Sequence, residues 1–68
     1  MENLIKEKAP ELVQVADQEG MNVVNLFNNI AGTLRTVSIE DTAKIYAVSV
    51  DVVEFVKENS EFAQKGET

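Results

Sequence analysis

Twelve carboxylates stand against six basic side chains in a chain without histidine or cysteine, and this decides which chemistry is open to it. Ser38, Ser49 and Ser60 have only Lys44, Lys57 or carboxylates as activators, so no nucleophile–base pair of the usual kind can form. Glu40 and Asp41 are the remaining acid–base pair, but 68 residues build little of the concave surface that such catalysis needs. Gly20, Gly32 and Gly66 are too widely spaced to cradle a phosphate, and no loop has the alternating acidic pattern of a calcium site. The expectation is a non-enzyme with no catalytic residue, no metal and no cofactor. What the carboxylates can do is present charge. Asp51, Glu54, Glu58 and Glu61 recur at helical spacing and fall within about 80° of arc, an acidic interaction face.

Four helices and a leading segment must position these groups. Pro10 suits the first turn of a helix and Gly20 its C-terminal stop, which predicts a helix over "PELVQVADQE". "MENLIKEK" before it reads as a short extra helix or an arm. From Asn22, "NVVNLFNNIAGTL" places Val23, Val24, Leu26, Phe27, Ile30, Ala31 and Leu34 on one side, an arc of roughly 160°. Its other side carries Asn25, Asn28, Asn29 and Gly32, with no charge at all. That helix is either the core element with a solvated amide face or a helix whose uncharged face meets another chain. Ser38 caps a third helix running to about Ala47, with Glu40 and Asp41 at the positive end of its dipole. Ser49 caps a last helix from Val50 to about Gln64, after which residues 65–68 fray. Strand near "TVSI" or "YAVSV" is the competing reading, outweighed by the agreement between caps and spacing. No internal repeat is visible. The expected fold is all-α: residues 1–68 as one small bundle of four to five short helices.

Residues 38–58, "SIEDTAKIYAVSVDVVEFVKE", resemble a helix-turn-helix. Thr42, Ala43, Tyr46, Val48, Val53 and Val56 fall at the family's packing positions, with Ala43 at its small residue, Val48 in the turn and Ser49 at the second cap. Ala47 departs from the pattern, standing where a turn glycine is common. The resemblance implies that Ser49, Val50, Asp51, Glu54, Phe55 and Glu58 would meet bases or phosphates. Base readers are typically Arg, Lys, Asn or Gln, and carboxylates oppose approach to phosphate. The motif therefore argues for the shape and against the usual function.

On the last helix Val52, Val53, Phe55, Val56, Phe62 and Ala63 span about 180°. Val53, Val56 and Ala63 suffice for a core contact, so Val52, Phe55 and Phe62 are candidates for an apolar contact with a second copy or a partner; the competing reading is that the first helix covers them. The formal charge of −6 sets a prior against nucleic acid. No apolar stretch reaches membrane-span length and the first residues lack a signal-peptide run, so the chain reads as soluble and cytoplasmic. The functional expectation is a non-catalytic regulator or inhibitor that binds a protein with a basic or apolar surface, with a homodimer as a further possibility. Size and charge resemble small acidic inhibitors encoded by phages and other mobile elements. The alternative is a dimeric helix-turn-helix DNA-binding regulator using Ser49, Arg35 and Lys57, with Lys6 and Lys8 gathered onto the same surface.

Overall fold

The computed structural model describes residues 2–60, which form five helices and, among those residues, no strand. These are α1 (Glu2–Lys8), α2 (Pro10–Glu19), α3 (Val23–Thr33), α4 (Ile39–Tyr46) and α5 (Val50–Asn59). The all-α small bundle expected from the sequence is thus the fold.

The leading segment is helical because Ile5 anchors it, fully buried in the common core. Its Glu2–Lys6 ion pair is exposed and contributes little beside that burial. Pro10 separates α1 from α2 at the single residue Ala9, which is itself buried. Asn22, Ser38 and Ser49 each cap a helix, accepting a backbone N–H from Val24, Asp41 and Val52 respectively. "TVSI" and "YAVSV" are divided among links, caps and the ends of α4 and α5, and do not form strands.

Helix α3 is the hub: it packs against each of the other four helices. Its buried face is Val23, Leu26, Phe27, Ile30 and Ala31, and Val24 sits half-buried at the edge. Ile5 of α1, Leu12 and Ala16 of α2, and Val52, Val53 and Val56 of α5 close around it. A polar seam joins α3 to α4, where the Tyr46 hydroxyl lies 2.8 Å from Thr33 Oγ1 and donates to the Asn29 carbonyl at 3.2 Å. Thr42, fully buried, has no partner for its Oγ1.

Two corners of the bundle are built alike, a local repeat that composition does not reveal. Gly20, Met21 and Asn22 link α2 to α3, and Ala47, Val48 and Ser49 link α4 to α5. In the first, Gly20 is left-handed (φ 67°) and Met21 N–H returns to the Ala16 carbonyl at 2.9 Å. In the second, Ala47 is left-handed (φ 58°) and Val48 N–H returns to the Ala43 carbonyl at 3.0 Å. Each left-handed residue also donates its own N–H to the last turn, at Asp17 and Lys44. These bonds satisfy carbonyls that a helix end otherwise leaves unpaired.

The last helix is shorter than the expected run to Gln64. It stops at Asn59, because Ser60 turns extended (φ −122°, ψ 111°) and the Asn59 side-chain amide donates to the Phe55 carbonyl at 2.8 Å. Asn and Ser compete in this way for backbone groups, which favours termination. The expected frayed tail at residues 65–68 lies outside the described residues.

Candidate functional site

The α4–α5 corner and the helix that follows it carry the described members of the acidic and apolar candidate sets. Ala43 and Val48 are 6% and 8% exposed and form the packed inner side, with Val53 and Val56 wholly buried behind them. Ala47 is left-handed, a conformation that an alanine adopts only at a cost of about 1 kcal/mol. It is the sole non-glycine with positive φ among the described residues.

The start of α5 is electrostatically occupied from within the chain. Ser49 Oγ accepts the Val52 N–H at 3.3 Å, and the Ser49 N–H donates to Glu11 Oε1 of α2 at 3.1 Å. A helix N-terminus draws anions, and here a carboxylate of the protein fills that role. Sequence reasoning missed Glu11, because its partner lies 38 positions away and no local pattern reports such a contact.

Beyond the cap, Asp51, Glu54 and Glu58 are all exposed on α5. Glu61, the fourth expected member of the acidic face, lies outside the described residues, as do Phe62 and Ala63. The three described carboxylates sit at i, i+3 and i+7, so they share one face of the helix. Val50, 40% exposed, heads the same face, four residues ahead of Glu54. Between α4 and this first turn runs a groove of about 460 Å³ lined by Glu40, Ala43, Lys44, Val48, Ser49 and Val50.

The apolar candidates divide. Val52 is 7% exposed and belongs to the chain's own core, so it has little surface left to offer a partner. Phe55 is half-buried and sets its ring edge-on to Phe27, with centroids 6.2 Å apart at 77°. Among the described residues the larger exposed apolar side chains are instead Ile45 at 63%, Val50 and Leu4. Ile45 could have been found from its position: with Thr42, Ala43 and Tyr46 turned to the core, it points away from it.

The groups that a DNA-binding role would use are spread over several elements. Arg35 is exposed in the link between α3 and α4, Lys57 is half-buried on α5, and Lys6 and Lys8 lie on α1. Among the described residues, no cluster of His, Cys, Asp or Glu is placed to hold a metal ion, and no helix is long and apolar enough to cross a membrane. No protein family, curated protein or solved structure matches the chain.

Proposed function

We propose that this protein is a non-catalytic regulator or inhibitor that works by binding another protein, presenting the acidic face of α5 to a basic surface. The observation that carries this reading is the state of the α5 N-terminus. The Ser49 N–H, where an approaching phosphate would seek a donor, bonds to Glu11, and the exposed face that follows is Asp51, Glu54 and Glu58. Both features disfavour a polyanion and favour a cationic partner surface. Such a face can compete for a channel that normally holds nucleic acid, in keeping with the small acidic inhibitors of mobile elements that the chain resembles in size and charge.

The test pairs a gain with a loss. Wild-type protein is used to capture its partner from host lysate at low and high salt, beside the double variant Glu54→Lys, Glu58→Lys. Capture by the wild type should weaken with salt and disappear in the variant. Equal capture by both proteins would reduce the acidic face to a solvated surface.

The second reading, a dimeric DNA-binding regulator, is favoured by one observation: the three-residue corner with its left-handed Ala47 and capping Ser49. It predicts retardation of random duplex DNA at low salt, because non-specific affinity accompanies the specific kind. On the reading proposed here, duplex DNA at tens of micromolar protein stays unshifted.

A further inference from the structure

We infer that the groove between α4 and the first turn of α5 seats a cationic amphipathic helix of the partner protein, with an apolar side chain of that helix set against Val50. The inference rests on the protein-binding reading above and names the partner segment's chemistry.

Three features of the groove converge. Its floor is firm and apolar: Ala43 and Val48 are nearly buried and held by the bond from Val48 N–H to the Ala43 carbonyl. Its wall is open, since Val50 keeps 40% of its surface exposed. Its surroundings are acidic. Glu40 lies on the lining with Asp41 beside it, and Glu54 and Glu58 continue the ridge that Val50 begins, at i+4 and i+8. Lys44 also lies on the lining, opposite in sign to Glu40, so the negative balance comes from Asp41, Glu54 and Glu58 around it.

A partly apolar notch with Glu40 on its lining, and with Glu54 and Glu58 following Val50 along α5 beyond it, matches a helix with an apolar stripe flanked by Lys or Arg, the helix-in-groove mode of recognition. The ridge from Val50 to Glu58 is roughly 12 Å long, which two to three turns of a partner helix would span. A fully apolar partner would leave the carboxylates against an uncharged surface. A purely cationic one would leave Val50 and the floor uncovered. Charge and shape together select the amphipathic segment.

The probe is a synthetic amphipathic helical peptide with Leu and Lys at i, i+3, i+4 spacing, titrated into the isotopically labelled full chain and followed by NMR. A control peptide replaces each Leu by Ser and keeps every Lys. The Leu/Lys peptide should shift the signals of Ala43, Val48 and Val50, and the control should bind about tenfold or more weakly. Val50→Gln, at an exposed position, should weaken the Leu/Lys peptide alone, whereas Glu54→Lys should weaken both. Equal binding of both peptides, with shifts confined to Asp51, Glu54 and Glu58, would overturn the groove while leaving the acidic face intact. Shifts centred on Ile45 and Met21 would likewise overturn it, and no binding of either peptide would sink the acidic-face reading as well.

Discussion

The α2–α3 corner and the α4–α5 corner share one backbone design and serve opposite ends. Each closes with a left-handed residue, a return bond to an alanine carbonyl and a capped new helix. The helix after the first corner carries no charged side chain and buries Phe27 at its fifth position past the cap. The helix after the second carries Glu54 at the equivalent position, exposed. The corner is therefore a general way to join two short helices, and its presence alone does not imply base reading. What distinguishes the two is the surface that the second helix presents.

The largest expected difference lies at those equivalent positions. Phe27→Ala should destabilise by about 3–5 kcal/mol, enough to leave so small a domain mostly unfolded, because it empties the hub and removes the edge-on contact to Phe55. Glu54→Ala should change stability by no more than about 0.5 kcal/mol. Urea denaturation followed by circular dichroism measures both. Comparable losses at the two sites would break the contrast between a structural helix and a presenting helix.

Exchanging the residues that close the corners gives a smaller effect. A Cβ on Gly20 would meet nothing within 4 Å, so the cost of Gly20→Ala is all backbone, about 1 kcal/mol. Ala47→Gly should recover part of the same amount, roughly half, the remainder going to the greater freedom of glycine in the unfolded chain. Opposite signs in thermal melts would show that the corners share one conformation and differ only in how well each residue suits it.

Smallest is the contrast between the caps. Asn22 Oδ1 accepts the Val24 N–H at 2.8 Å, and Ser49 Oγ accepts the Val52 N–H at 3.3 Å. Both changes to alanine should cost within about 0.5–1 kcal/mol, with Ser49→Ala at the lower end, since the Glu11 carboxylate continues to hold the α5 N-terminus. Combining Ser49→Ala with Glu11→Ala should then cost more than the two changes added separately.

Much of the fold is legible in local sequence because local physics sets it. The bounds of α2 follow from Pro10 and Gly20, and the caps at Asn22, Ser38 and Ser49 follow from side chains that reach only two or three residues ahead. The apolar face of α3 follows from spacing. What stays hidden depends on neighbours distant in the chain. The Glu11–Ser49 bond, the burial of Val52 and the edge-on pairing of Phe55 with Phe27 all need the bundle assembled before they exist. Spacing does not report the end of α5, because the helical pattern continues past Asn59 while Asn59 and Ser60 compete for backbone groups. Of the site, the acidic face was visible as a pattern and the groove beside it was not, since α4 and α5 build it jointly.

Tyr46 offers a practical handle. It is the only tyrosine in a chain without tryptophan, and its hydroxyl is held in the seam between α3 and α4 by Thr33 and the Asn29 carbonyl. Near-ultraviolet absorbance and intrinsic fluorescence above 300 nm therefore report, without any label, on whether the half of the molecule carrying α4 and α5 is docked on its hub.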